Sequence, residues 1–216
     1  MKRLAYDKLL EWKNNGDRKP LVINGARQVG KTWLLKEFGK NEYSNVAYIN
    51  CDEIPEMRTI FSDFNTDRLI RSFSVLSGEP INPAKTLIIL DEIQVTPSGI
   101  TSLKYFCENA NEYHIAVAGS LLGIGIHDGT GFPVGKVDEV NLYPLSFMEF
   151  LLALGKDVLV TNMKEHRWDE LSSLGNIFID LLRQYYYVGG MPEVVKSYVE
   201  NQDVFEVRNI QKQILV

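Results

Sequence analysis

The chain is poor in the residues that build metal-binding and disulfide scaffolds. Its 216 residues include 2 cysteines and 3 histidines. Cys51 and Cys107 lie too far apart in sequence to give a metal-binding spacing, and two isolated thiols provide no disulfide framework. We therefore expect both thiols to be unpaired, as in a reducing compartment, and we expect a cytoplasmic protein.

Long apolar runs and an excess of positive charge are also missing. Apolar runs such as Leu87–Leu90 are far shorter than the ~20 residues that a membrane-spanning helix needs. Met1–Asp7 is charged and no apolar segment follows it, so we expect no signal peptide. The formal net charge of −5 argues against a surface that binds nucleic acid throughout, because such binding needs clustered cations. A nucleic-acid partner bound by a local basic strip stays open.

A glycine-rich loop carries the strongest functional signal. Its residues are Gly25, Ala26, Arg27, Gln28, Val29, Gly30, Lys31 and Thr32, which fit the pattern G-x-x-x-x-G-K-[ST]. In such a loop the backbone N–H groups bind a polyphosphate, the lysine reaches the β- and γ-phosphates, and the threonine hydroxyl binds Mg²⁺. An apolar strand pattern, Leu21–Ile23, precedes the loop, and a helical pattern follows from Trp33, so a helix N-terminus faces the anion. We predict that Gly25–Trp33 binds ATP or ADP.

A second signal is an apolar strand that ends in two acids. Leu87–Leu90 is continuously apolar, which is typical of a strand buried on both faces of a parallel sheet. Asp91 and Glu92 follow it directly. The first acid can support Mg²⁺ and the second can accept a proton from an attacking water. A solvated acidic strand end is the alternative. We predict Thr32 and Asp91 as metal residues, and Glu92 and Lys31 as catalytic residues.

The order of the elements predicts an α/β fold. Strand and helix patterns alternate to about residue 142, which indicates a three-layer domain with a parallel sheet. The glutamate and an extra strand between the two motifs fit the P-loop proteins that hydrolyse ATP with a glutamate-activated water, for which we expect the strand order 5-1-4-3-2. In that order Ser120 would face the γ-phosphate as a sensor. The alternative is a serine that satisfies a turn. Gln94 could orient the same water or be an exposed amide.

Local signals also predict where helices begin and end. Thr66 is expected to cap one helix, and Gly39 is expected to end the helix that follows the loop. Ser146 and Glu149 have the spacing of a capping box. Pro192 suits the first position of a helix.

From Pro144 onward only helical periodicity remains. We predict two regions: an ATPase core with a short N-terminal helix over residues 1–143, and a helical lid over residues 144–216. The last helical pattern reaches Val216 without a stop signal, so we expect the lid to be truncated.

Several strings together resemble a known family. They are, in chain order, Ile23–Thr32, Leu90–Gln94, Ala118–Ser120, Leu142–Leu151 and Gly189–Val195. This set resembles the prokaryotic AAA-type ATPases of the archaeal-ATPase-like group. The resemblance implies an AAA-like core with a helical lid, ATP and Mg²⁺ as ligands, and a C-terminal domain of unknown function that we expect to be absent here. A protein partner or that domain is the implied partner, and oligomerisation stays open.

Two positions of the family pattern bear on the site. Many relatives have Gly-Arg just before the last strand, whereas this chain has Gly135 and Lys136. Lysine is a point charge without a bidentate fork, which weakens an arginine-finger role for Lys136. Gly190-Met191-Pro192 resembles the Gly-x-Pro lid element of related signal-transducing ATPases, in which the proline contacts the nucleotide. Pro192 is therefore a predicted nucleotide-binding residue, with a simple helix start as the alternative.

The sequence as a whole predicts a Mg²⁺-dependent ATPase, slow in isolation, in which hydrolysis moves the lid. The alternative is a nucleotide-gated binding module that holds ATP or ADP with negligible hydrolysis and acts on a protein or nucleic-acid partner. A small-molecule kinase is disfavoured, because adjacent Asp and Glu suit a hydrolase and no arginine-rich lid segment is present.

Overall fold

The computed structural model describes residues 1–120, 131–172 and 175–214. The chain forms two compact units. The larger unit is Ala5–Leu142, and the smaller one combines Met1–Leu4 with Tyr143–Val216.

The larger unit is a parallel sheet with helices on both faces. Its strands are β1 (Leu21–Asn24), β2 (Asn45–Asn50), β3 (Thr86–Asp91), β4 (His114–Ala118) and β5 (Asp138–Asn141). Its helices are α1 (Ala5–Asn14), α2 (Lys31–Glu42), α3 (Met57–Ile60), α4 (Thr66–Ser77) and α5 (Pro97–Asn109), with 3₁₀ turns at Cys51–Glu53 and Ile93–Val95. The strand order is β2-β3-β4-β1-β5, and all the pairings are parallel. This confirms the predicted α/β fold and the order 5-1-4-3-2.

Alternation of side chains along the central strands builds two cores. In β3, Ile88 and Leu90 pack into a core with α4 and α5, whereas Leu87 and Ile89 pack into a second core with α1 and α2. Because successive strand residues point to opposite faces and both faces are covered, every residue of β3 is buried. This is the physical reason for the continuous apolar run in the sequence.

Two helix boundaries differ from the prediction. Gly39 does not end α2, which continues to Glu42. Gly39 is instead the point of close approach between α2 and the sheet, because an added Cβ there would lie 2.7 Å from a methyl group of Val46. Thr66 is the first residue of α4, and the cap is Asn65, whose side chain accepts a hydrogen bond from the N–H of Arg68.

The smaller unit is helical. Its helices are α6 (Phe147–Ala153), α7 (Asp157–Lys164), α8 (Trp168–Ser172), α9 (Gly175–Val188), α10 (Pro192–Asn201) and α11 (Val204–Ile214). The predicted capping box is present at α6, and Pro192 is in the first turn of α10. The predicted end of the last helix at Val216 lies outside the described residues. No helix within the described ranges is both long enough and apolar enough to cross a membrane.

The first four residues group with the helical unit, although the sequence assigned residues 1–143 to the core. The reason is a buried carboxylate. Glu149 Oε1 accepts hydrogen bonds from Arg3 Nε at 3.0 Å and from the N–H of Leu4 at 2.9 Å. Its other oxygen accepts the N–H of Ser146 at 2.8 Å, so one side chain both caps α6 and binds the chain terminus.

Candidate nucleotide-binding site

The glycine-rich loop joins β1 to α2 at the carboxyl edge of the sheet. Gly30 is the N-cap of α2 and has left-handed backbone angles, φ 92° and ψ 27°, which glycine adopts readily. Gly25 is needed for a close approach, since an added Cβ would lie 2.3 Å from the carbonyl oxygen of Leu142. The first N–H groups of α2 have no acceptor within the helix, so the loop presents donors suited to an anion.

Lys31 is buried within the loop. Its ammonium donates hydrogen bonds to the carbonyl oxygens of Gly25 at 2.8 Å and Ala26 at 2.7 Å. Burial lowers the pKa of Lys31, and the negative charges of Glu92 and Asp91 oppose this shift. The ammonium is therefore held at the loop by neutral carbonyls, which a phosphate could replace as the stronger, charged acceptor.

Asp91 connects the loop helix with two strands. Thr32 Oγ1 donates to Asp91 Oδ2 at 2.7 Å, and the Tyr48 hydroxyl donates to the same oxygen at 3.1 Å. Burial raises the pKa of Tyr48 and the charge of Asp91 adds to that effect, so the phenol remains a donor. The ammonium of Lys36 lies 3.4 Å from the centroid of the Tyr48 ring, within the distance of a cation–π contact.

This oxygen-rich arrangement fits Mg²⁺. Magnesium is bound by one or two protein oxygens together with phosphates and water, and Thr32 and Asp91 offer such a pair at 2.7 Å from each other. In the part of the chain that the structure describes, no group of three or more His, Cys, Asp or Glu side chains could hold a metal ion unaided. The fit is therefore to a cation that also binds substrate phosphates.

Glu92 has a backbone conformation that is uncommon for its residue type. Its φ of 51° and ψ of 38° are left-handed, a conformation that non-glycine residues adopt at some energetic cost. Gln94 Nε2 donates a hydrogen bond to Glu92 Oε2. Within the described residues, the buried Gln94 Oε1 has no hydrogen-bond partner. The Gln94 side chain thus donates to Glu92 through Nε2 and carries, in Oε1, an acceptor that has no donor among the described residues.

A cleft of about 640 Å³ lies between the glycine-rich loop and the segment that carries Glu92 and Gln94. It is lined by Arg27, Gln28, Gly30, Lys31, Thr32, Trp33, Asp52, Glu92, Gln94 and Val95. The indole of Trp33 is exposed. The volume falls within the range of roughly 300–1,000 Å³ that small-molecule sites occupy. Asp52 and Val95 were not singled out from the sequence, because neither belongs to a recognisable motif.

Other predicted residues lie at the loop core, at the end of β4 or in the helical unit. Val29 is buried beside β1 and shapes the loop from within the core. Ser120 follows β4, which lies between β1 and β3, and its Oγ is buried without a hydrogen-bond partner among the described residues. Pro192 is at the start of α10 in the smaller unit. Lys136 forms an ion pair with Glu108 at 2.9 Å.

Sequence reasoning missed Tyr48 entirely. The signal was available in the predicted strand order, since β2 neighbours β3 and the register pairs Asn50 with Asp91. A polar aromatic side chain two residues before the end of β2 can therefore reach the acid that ends β3.

The comparisons with known proteins identify the family of this chain. A family model described as an AAA domain, AAA_14, matches residues 17–151. The chain belongs to this family. It is thus an AAA-domain protein of the nucleotide-binding ATPase type, and the matched region contains the loop together with Asp91 and Glu92.

Individual relatives of this AAA domain are distant. An uncharacterized protein of Methanocaldococcus jannaschii is 25% identical over 173 residues, which cover 76% of this chain and 35% of that protein. A chain of the Drosophila ORC structure, solved bound to DNA, is similar over 97% of this chain and 65% of that chain, with a TM-score of 0.52 and 15% identity. C. elegans PCH-2 matches 72% of this chain and 45% of its own, with a TM-score of 0.42 and 14% identity. The match to this chain therefore spans about a third of the archaeal relative's length.

Proposed function

We propose that this AAA domain hydrolyses ATP in a Mg²⁺-dependent reaction. The observation that supports the proposal is the convergence of Lys31, Thr32, Glu92 and Gln94 on one cleft, with Asp91 hydrogen-bonded to Thr32 at 2.7 Å. Two of these residues suit phosphate and cation binding, and the acids follow a strand at the edge where parallel α/β sheets bind ligands. No single residue of this set would identify an ATPase by itself.

Nucleotide binding falls to the loop and its helix. The backbone N–H groups of Gly25–Thr32 would bind the phosphates. The Lys31 ammonium would exchange the carbonyls of Gly25 and Ala26 for phosphate oxygens. The exposed ring of Trp33 offers a face to the sugar or base. Thr32 and Asp91 would hold Mg²⁺, which supplies charge neutralisation of the phosphates when bound.

Glu92 is the proposed general base. Its carboxylate would accept a proton from the attacking water, and Gln94 would fix its orientation through the hydrogen bond to Oε2.

Ser120 and the helical unit have proposed roles in sensing the nucleotide. The buried hydroxyl of Ser120 would donate to the γ-phosphate, which would supply the partner that it lacks among the described residues. Residues 144–216 would act as a lid that responds to nucleotide through Pro192. These roles explain how phosphate occupancy could reach the helices.

Two substitutions test the proposal on the purified chain. Lys31→Ala removes the cation from the phosphates and should weaken Mg²⁺–ATP binding by at least about 10-fold in calorimetry. Glu92→Gln cannot accept a proton and should keep ATP binding while lowering phosphate release by about 10²-fold or more. Lys40→Ala, at an exposed position of α2, is the charge control and should behave as wild type.

The outcomes separate the two function classes. Unchanged ATP affinity in Lys31→Ala would remove the nucleotide site from this loop. ATP binding by the wild type without phosphate release would identify a nucleotide-gated binding module instead of an ATPase. Phosphate release by Glu92→Gln at the wild-type rate would place the base elsewhere.

A further inference from the structure

The positive charge expected before the last strand is already engaged. Lys136 lies two residues before β5, and its ammonium lies 2.9 Å from Glu108 Oε1. The partner carboxylate raises the pKa of Lys136, so the pair consists of two full and opposite charges. A neutralised point charge is a poor substitute for a guanidinium on a phosphate.

A second cation lies inside the cleft. The Arg27 side chain is exposed and lines the cleft together with Lys31 and Glu92. Among the described residues, no hydrogen bond or ion pair engages the guanidinium of Arg27. Its charge contributes to lowering the pKa of Lys31, as expected for two cations that share one site. Two cations on one cleft repel each other, and a bound polyanion would relieve that repulsion.

The loop also fixes where Arg27 can act. Arg27 lies between Gly25, which is held against Leu142, and Gly30, which caps α2. Its side chain is therefore attached to the segment that would surround the phosphates, on the cleft that also contains the proposed base. An arginine can form two parallel hydrogen bonds with a phosphate, whereas a lysine cannot.

We propose that the Arg27 guanidinium binds the γ-phosphate and supplies, from within the loop, the positive charge that stabilises the transition state. The inference rests on the proposed ATPase function. In the reaction, the water oxygen forms a bond to the γ-phosphorus as its proton passes to Glu92. The bond to the bridging oxygen breaks, and ADP leaves with the electron pair. Arg27 neutralises the charge that spreads over the γ-phosphate oxygens.

The experiment compares Arg27→Ala and Arg27→Lys with a matched control, Arg71→Ala, which removes an exposed arginine of α4. Calorimetry measures the affinities for Mg²⁺–ADP and for a non-hydrolysable ATP analogue, and phosphate release gives kcat. Arg27→Ala should bind ADP within about twofold of wild type, bind the analogue about 10-fold more weakly and lose about 100-fold in kcat. Compared with Arg27→Ala, Arg27→Lys should restore binding of the analogue more than it restores kcat. The lysine returns the positive charge but cannot form the two parallel hydrogen bonds of a guanidinium. Arg71→Ala should match wild type.

Three results on the variants would overturn the inference. Unchanged analogue affinity and kcat in Arg27→Ala would make the residue a solvated loop side chain. An equal loss of ADP and analogue binding would assign it to the inner phosphates or to loop structure. A larger loss of kcat in Lys136→Ala than in Arg27→Ala would return the role to Lys136. If the wild type binds ATP without turnover, the proposed hydrolysis fails, and the ratio of analogue to ADP affinity still decides the role of Arg27. A wild type that binds no ATP overturns both.

Discussion

The orientation of the Asp91 carboxylate is set by hydrogen bonds from neighbouring residues. A buried carboxylate needs donors, and Asp91 has Thr32 and Tyr48 on the same oxygen. If Thr32 turns to a metal ion, the N–H of Glu92 still donates to Asp91 Oδ1 at 3.1 Å, and Tyr48 remains as the side-chain donor to Oδ2 among the described residues. Groups that orient a metal ligand in this way commonly contribute to metal affinity through the ligand that they hold.

Tyr48→Phe should therefore raise the Mg²⁺ concentration needed for half-maximal ATP binding by about 10-fold, because outer hydrogen bonds typically contribute 10- to 100-fold to metal affinity. A Mg²⁺ titration of ATP binding measures this. Tyr6→Phe is a matched control, since the Tyr6 hydroxyl also donates to a carboxylate, Glu42, at 3.1 Å. The prediction would be contradicted if Tyr48→Phe needed a Mg²⁺ concentration for half-maximal ATP binding within twofold of that of the wild type.

The kinds of residues in the site could be predicted, but their hydrogen-bond partners could not. Lys31, Asp91 and Glu92 belong to strings with a known mechanism, whereas Tyr48 and Gln94 acquire their contacts from sheet register and from the left-handed backbone of Glu92. A sequence motif predicts which chemical groups lie close together along the chain. Contacts between neighbouring strands arise only when the strands pair.

At the scale of elements, the two glycines in the turn between α9 and α10 differ in how much conformational freedom they have. Gly190 is fixed: its carbonyl accepts the N–H of Leu145 at 2.6 Å, and an added Cβ would lie 2.3 Å from the Leu145 carbonyl oxygen. Gly189 has a φ of 75° and open space around the same position. If the turn bends, Gly189 is the residue that can change its backbone angles.

We expect ATP with Mg²⁺ to slow hydrogen exchange over residues 185–195, because a lid that contacts nucleotide loses local opening motions. Lys31→Ala, which should not hold ATP, should lose this protection. Pro192→Ala keeps a residue that suits the first turn of α10, so a lower ATP affinity in that variant would indicate contact with nucleotide. Exchange that does not respond to ATP would contradict the lid.

Gly39 shows why element boundaries are harder to predict than elements. A glycine late in a helical pattern usually marks the helix end, and here it marks the closest contact of α2 with β2 instead. Both uses of glycine follow from its missing side chain. Only the position of the neighbouring strand decides between them, and the local sequence does not contain it.

At the scale of the whole chain, one buried histidine links stability to pH. His114 begins β4, packs against Trp12 and shares a hydrogen bond of 2.7 Å with the Tyr43 hydroxyl. Burial lowers the pKa of His114 to about 4, and the positive charges of Arg18 and Lys13 act in the same direction. The folded protein thus resists a proton that the unfolded chain accepts below about pH 6.5.

The free energy of unfolding should fall as the pH drops from 6.5 towards 4, with His114 accounting for about 3 kcal/mol of the loss. The free energy of unfolding falls because the unfolded state binds the proton at a higher pH than the folded state does. Urea unfolding of His114→Asn at pH 7, 6, 5 and 4 should show a shallower decline than wild type. Tyr43→Phe removes the hydrogen bond but keeps the imidazole, so its decline should stay steep. Parallel curves for wild type and His114→Asn would contradict the prediction.

The strand order also dictates when the loop can take its shape during synthesis. β1 is made before its two neighbours in the sheet, β4 and β5, which begin at His114 and Asp138. Until then Leu21–Ile23 is an apolar strand with two unpaired edges, the kind of segment that associates with other nascent chains or with chaperones. The packing of Gly25 forms later still, because the backbone that it packs against belongs to Leu142. A growing chain thus carries every residue of the glycine-rich loop well before Leu142 is made, and until then the loop cannot take the shape that binds a nucleotide.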